Sequence, residues 1–100
     1  MLKPNHRRQT ASDIYRVAHR LIREGKGFQA IKQLEQGLIK FPRNALLMRS
    51  LAEAYRQSGQ YTEAIAQYQR VIEDDPRDEV CLNGIGNSYL RMKRYDLAME

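Results

Sequence analysis

The residues that most often carry chemistry are few in this chain and poorly spaced for catalysis. Cys81, the one cysteine, has no histidine near it in sequence. It sits beside Leu82 in an apolar stretch, the surroundings of a buried, inert thiol. His6 lies in a basic N-terminal stretch, and His19 has no ligand-type residue at the spacing a zinc site needs. The run Glu73-Asp74-Asp75-Pro76-Arg77-Asp78-Glu79 is acidic but lacks the alternating oxygens and central glycine of a calcium loop. It reads as a solvated turn with helix caps. Gly84-Ile85-Gly86 has no strand before it, so it is not a phosphate loop; its glycines suit close helix packing. No catalytic residue, metal ligand or cofactor site is expected, and the chain does not read as an enzyme. What remains is recognition chemistry. An asparagine pairs with peptide N–H and C=O together, and an arginine forks onto a carboxylate. Asn83 and Asn87 stand one helical turn apart, and Arg49 has Arg23 before it and Arg91 after it.

These residues are positioned by a repeat. Sliding the chain along itself by 34 residues brings Ala18 onto Ala52 and Gly86, Leu21 onto Tyr55 and Tyr89, and Gly25 onto Gly59. Ala30, Ala64 and Ala98 align, as do Tyr61 with Tyr95 and Pro42-Arg43 with Pro76-Arg77. A fixed period of this length marks a stacked solenoid, in which no unit buries its apolar face alone. The central unit, Ala45–Asp78, is the clearest. Met48, Leu51, Ala52 and Tyr55 recur at helical spacing and must be buried. Gly59 can take positive φ and end the first helix, while Pro76 stops the second at Asp75. Ala52 and Ala64 are small enough for two antiparallel helices to approach closely. Asn44 and Asp78 are placed to cap the helices that follow.

The expected helices run from a cap at Ser12 or Asp13 to about Glu24, then Phe28–Lys40, Ala45–Gln57 and Tyr61–Asp74. A fifth starts at Glu79, and a last one at Tyr95 follows a turn at Lys93-Arg94. The buried faces are Ile14, Val17, Ala18 and Leu21; Ile31, Leu34 and Leu38; and, in the third unit, Leu82, Ile85 and Tyr89.

The combination of small residue, aromatic, glycine, second small residue and proline at one period resembles the tetratricopeptide repeat family, over roughly Ala11 to Glu100. Three positions depart from it: Leu21 replaces the aromatic, Gly27 stands where Tyr61 and Tyr95 stand, and Lys93 replaces the turn glycine. The resemblance implies an all-α, right-handed solenoid of helical hairpins. Two repeats (11–44 and 45–78) are full and a third (79–100) is cut short, behind a disordered basic tail at 1–10. It also implies that the first helix of each pair lines a concave groove. Counting turns away from the buried positions puts Ser12, Tyr15, His19, Ile22 and Arg23 on that face in the first repeat. The second adds Leu46, Arg49, Glu53, Arg56 and Gln57, and the third Val80, Asn83, Asn87, Leu90 and Arg91. Arg16 falls off the groove. A Lys/Asn/Arg clamp for a C-terminal carboxylate, used by some family members, is missing: Tyr15 and His19 stand where it needs Lys and Asn, and Glu53 adds a repelling charge.

The expected function is therefore a protein-interaction module holding a peptide or helix of a partner. The alternative is binding of nucleic acid or another polyanion through the basic first repeat. The net charge of +5 is uneven: residues 1–44 carry ten Lys/Arg against three acids, and residues 45–100 seven against nine. Such asymmetry either invites an anionic partner or is a solvated face. Stacking aromatics for single strands are spent in the core. At 100 residues and 42% apolar, the chain is one domain at most. It has no run near the ~18 apolar residues of a membrane span and no signal-peptide core. A lone cysteine fits a reducing, cytoplasmic setting. By its own period the last helix should run past Glu100. The chain thus reads as a piece of a longer solenoid, or one that self-associates through its open edge.

Overall fold

Thr10 opens the first helix. Its hydroxyl accepts from the Asp13 N–H at 3.1 Å, and the Asp13 carboxylate accepts from the Thr10 N–H at 3.0 Å. This reciprocal capping box satisfies two of the N–H groups a helix start leaves unpaired. The cap is thus two or three residues earlier than Ser12 or Asp13, and Asp13 is its partner at the third helical position. The computed structural model describes the backbone of residues 9–99 and the side chains of residues 9–94. Most of the basic tail expected at 1–10 lies outside the described residues.

The described chain contains helices α1 (Ala11–Arg23), α2 (Gly27–Lys40), α3 (Ala45–Gln57), α4 (Tyr61–Asp74) and α5 (Glu79–Met99), and no strand. Asn44 caps α3, its side chain accepting from Leu47 N–H at 3.0 Å. Asp78 caps α5, accepting from Cys81 N–H at 3.0 Å. Both caps fall at the expected positions.

The first two hairpins turn in the same way. Gly25 and Gly59 sit at φ 76° and 79°, in the left-handed region that costs L-residues with a Cβ about 1–2 kcal/mol. Lys26 N–H bonds back to Leu21 C=O and Gln60 N–H to Tyr55 C=O, each at 2.8 Å, and the inner glycine bonds close alongside. This is the Schellman arrangement, which satisfies the last carbonyls of α1 and α3. Gly27, expected in the turn, instead begins α2 and packs against Ser58 and Gln57.

No third hairpin forms among the described residues. The turn expected at Lys93-Arg94 is not made, and α5 runs through it as one helix of 21 residues. Lysine is a good helix former and a poor left-handed residue. The described residues therefore form five helices, not five and the stub of a sixth.

Each helix packs on the next, and α1, α3 and α5 also touch in a row, which makes an elongated body of 63 × 28 × 18 Å. One apolar cluster joins Ile14, Ala18, Leu21, Ala30 and Leu34 to Leu47 and Leu51. A second joins Met48, Ala52, Ala64, Tyr68 and Val71 to Cys81. Leu38 and Tyr55 pack against both. The core is thus a continuous stripe between layers, as a solenoid requires.

The buried face of α5 differs from expectation. Cys81, Gly84 and Ser88 point inward and Ile85 is half-buried, but Leu82 and Tyr89 are 48% and 54% exposed. Their counterparts one period earlier are covered on both sides: Met48 is buried and Tyr55 half-buried. With α5 continuing straight, no return helix lies over Leu82 and Tyr89 among the described residues. Ser88, buried within the helix, returns its hydroxyl to Gly84 C=O at 2.8 Å.

Candidate interaction groove

The row α1, α3, α5 forms one long face, and its centre is a half-open hollow of about 450 Å³. Tyr15 enters from α1. Leu46, Arg49, Ser50, Glu53 and Arg56 come from α3, and Val80, Asn83, Gly84 and Asn87 from α5. Six of the nine groove residues named from sequence meet here: Tyr15, Arg49, Glu53, Arg56, Asn83 and Asn87. The two apolar contacts, Leu46 and Val80, are with them.

The other three flank it. His19 and Arg23 lie in a hollow of about 500 Å³ on α1, which shares Tyr15 with the central one. The Tyr15 and His19 rings stack there with centroids 5.4 Å apart and planes 23° apart. Arg91 lies in a third hollow of about 300 Å³ with Gln57 and Tyr61, which shares Glu53 and Arg56 with the centre.

One expectation is corrected. Ile22 is not on the groove: it is 5% exposed, within the core cluster. Gln57 reaches over to α1, and its amide donates to the Ile22 carbonyl at 2.7 Å, so this level of the face is closed by a polar strap. Arg16, expected off the groove, does not line the central hollow; it lies in the flanking α1 hollow with His19 and Arg23, and its guanidinium pairs with Asp13.

The floor was missed from sequence. Tyr68 comes from α4, the second helix of its hairpin, and reaches the hollow beneath α5. It fits because residue 84 is glycine: a Cβ there would lie 2.3–2.7 Å from the Tyr68 ring. A glycine in mid-helix costs about 1 kcal/mol relative to alanine, so its presence was the available signal for an approaching side chain. Burial raises the Tyr68 pKa, and the Arg56 guanidinium beside the hydroxyl acts in the opposite direction.

Arg49 does not stand free in the hollow. Its Nη1 donates to Asp78 at 3.2 Å, and the other Asp78 oxygen caps α5. The pair is partly shielded, with side chains 33% and 8% exposed. Arg49 thus links α3 to the start of α5 across a repeat boundary. The Nε groups of Arg49 and Arg56 are buried without a hydrogen-bond partner. Asn83 and Asn87 are both exposed.

Away from this face the ionisable groups are structural. The Cys81 thiol is fully buried, and burial, followed by the Asp78 carboxylate, pushes it up to about 12. Burial, then the Glu35 carboxylate that accepts its hydroxyl at 2.9 Å, pushes Tyr55 up to about 12. Neither group is poised for chemistry near neutrality. Among the described residues no three of His, Cys, Asp and Glu group as metal ligands, and no helix is long and apolar enough to cross a membrane.

Comparison with known proteins adds the following. A family model described as TPR repeat matches residues 52–93. The chain is 34% identical over 64 residues to RNA polymerase II-associated protein 3 of Xenopus tropicalis, a match spanning 64% of this chain and 10% of that protein. It is 30% identical over 76 residues to cellulose synthase operon protein C of Escherichia coli K12, spanning 76% of this chain and 6% of that one. The matches thus span a tenth or less of these relatives' length. Among solved structures, the P58(IPK) TPR domain superposes with a TM-score of 0.76 at 25% identity, covering 84% of this chain and 23% of that one.

Proposed function

Because this chain belongs to the tetratricopeptide repeat family, we propose that the face formed by α1, α3 and α5 is a groove that holds a segment of another protein. The observation that carries this reading is the central hollow. It draws side chains from three successive repeats, among them exposed Asn83 and Asn87, one helical turn apart. Their amides can fix a ligand backbone while Leu46 and Val80 offer apolar contact. The role is binding rather than catalysis. The proposed setting is the cytoplasm, which the lone buried Cys81 suits.

The test is selection of binding peptides from a displayed random library, followed by titration against Asn83→Ala/Asn87→Ala. A groove ligand loses affinity in that variant, with shallow salt dependence. Peptides indifferent to the double substitution would refute the groove.

A second reading draws on the α1 hollow, where Arg16, Arg20 and Arg23 recur on one helix. It makes the first repeat a polyanion site. Heparin binding that collapses steeply with salt and is lost in Arg20→Glu/Arg23→Glu would favour it. Self-association through Leu82 and Tyr89 of α5 belongs to the proposed partners as well. Sedimentation of wild type against Leu82→Glu tests it, and an unchanged monomer in both would remove it.

A further inference from the structure

We propose that the groove is graded from one edge to the other, and that the partner segment it fits is an amphipathic helix with an aliphatic flank and an acidic flank. This rests on the groove reading and adds the chemistry of the ligand.

The 34-residue register sets residues of α1, α3 and α5 at common levels, because the three helices lie side by side. At the first level are Ser12, Leu46 and Val80. Val80 is 61% exposed and Leu46 half-buried, and none of the three is charged. At the last level are Arg23, Gln57 and Arg91, with Arg56 beside them. The span from Leu46 to Gln57 is about 16 Å at 1.5 Å per residue, wide enough for a helix of about 10–12 Å laid across the row.

The middle does not favour acids. Arg49 is matched by Asp78 at 3.2 Å; Glu53 repels acids; Asn83 and Asn87 are neutral. The far edge is different. No ion pair engages Arg20, Arg23, Arg56 or Arg91 among the described residues. Glu24, the acid nearest Arg23 in sequence, is taken by Lys26 at 3.2 Å. The Arg56 Nε is buried and partnerless. In the hollow that holds Arg91 the one acid is Glu53, set against Arg56 and Arg91. The far edge is therefore an anion-accepting rim and the near edge an aliphatic one. A helix lying between them meets both only if leucine-type residues run along one flank and Asp or Glu along the other, the carboxylates forked by guanidinium groups.

The probe is a phage library of helical peptides randomised over two adjoining stripes and selected on the intact chain. Enriched peptides should carry aliphatic residues on one stripe and acids on the next. Their affinity should fall roughly tenfold or more in Arg56→Gln/Arg91→Gln. A smaller loss is expected in Val80→Ser and none in Arg70→Gln, a charge on α4. If Arg56→Gln unfolds the chain by circular dichroism, Arg23→Glu/Arg91→Glu replaces it. Peptides without acids, or a family indifferent to the arginine variants but sensitive to Asn83→Ala/Asn87→Ala, would overturn the grading and leave the groove standing. Peptides indifferent to all of these, or no enrichment at all, would overturn both.

Discussion

The second hairpin and the third repeat begin alike and end differently. Both open on a side-chain cap one residue before the helix, Asn44 and Asp78. In the second, Gly59 turns the chain at φ 79° and α4 folds back over Met48 and Ala52. In the third, Lys93 stands where the glycine would be, α5 continues to Met99, and Leu82 and Tyr89 stay exposed. The residue at this position thus favours a turn in one repeat and a continuing helix in the other. The reason is backbone sterics: only glycine reaches the left-handed region without cost. The face formed by α1, α3 and α5 is still built in the third repeat, because α5 supplies its first helix, while α4 of the second hairpin adds Tyr68 as the floor.

The largest expected effect probes the burial side of that contrast. Leu34→Ala, in the closed first hairpin, should cost about 2–5 kcal/mol by urea denaturation. Leu82→Ala, half-exposed on α5, should cost under about 1 kcal/mol. Equal losses would mean that α5 is covered as fully as the hairpins.

Next come two glycines two residues apart on α5. Gly84→Ala drives a methyl into the Tyr68 ring and should cost about 1–3 kcal/mol by overpacking. Gly86→Ala meets nothing within 4 Å and should stabilise by up to about 1 kcal/mol through helix propensity. Effects of one sign would show that α4 and α5 are not in the assigned register.

The turn itself gives the third test. Gly59→Ala should cost about 1–2 kcal/mol from its positive φ. Lys93→Gly should cost about 1 kcal/mol and lower amide protection after residue 93, because it weakens a continuous helix. Stabilisation by Lys93→Gly would mean that the chain wants a hairpin there.

The fold was legible because the repeat is written in residues with single physical meanings. Gly25, Gly59, Pro42 and Pro76 mark ends, and Ala45–Gln57 and Tyr61–Asp74 emerged with their expected bounds. Lys93 was read as a departure from the pattern, yet a turn was still expected there; the side chain's own preference outweighed the period. The inward face of α5 was misread for a related cause. Leu82 and Tyr89 repeat the pattern of Met48 and Tyr55, but a pattern buries a side chain only if a helix arrives to cover it. Six of the nine groove residues meet in the central hollow because helical spacing alone places them. Its electrostatics were not legible, since the Arg49–Asp78 pair spans 29 residues and forms only once the layers stack. Tyr68 was hidden in the same way: it belongs to the core cluster, and its ring reaches the floor only because Gly84 leaves room.

The most direct test of the groove is a two-dimensional NMR titration of the labelled chain with a selected peptide. The expected result is saturable shifts of the Asn83 and Asn87 side-chain amides and of backbone signals at Tyr15, Arg49 and Glu53, with α2 signals such as Phe28 and Ile39 unmoved. Shifts confined to α2 and α4, or to the α1 surface around Arg16 and Arg20, would contradict it.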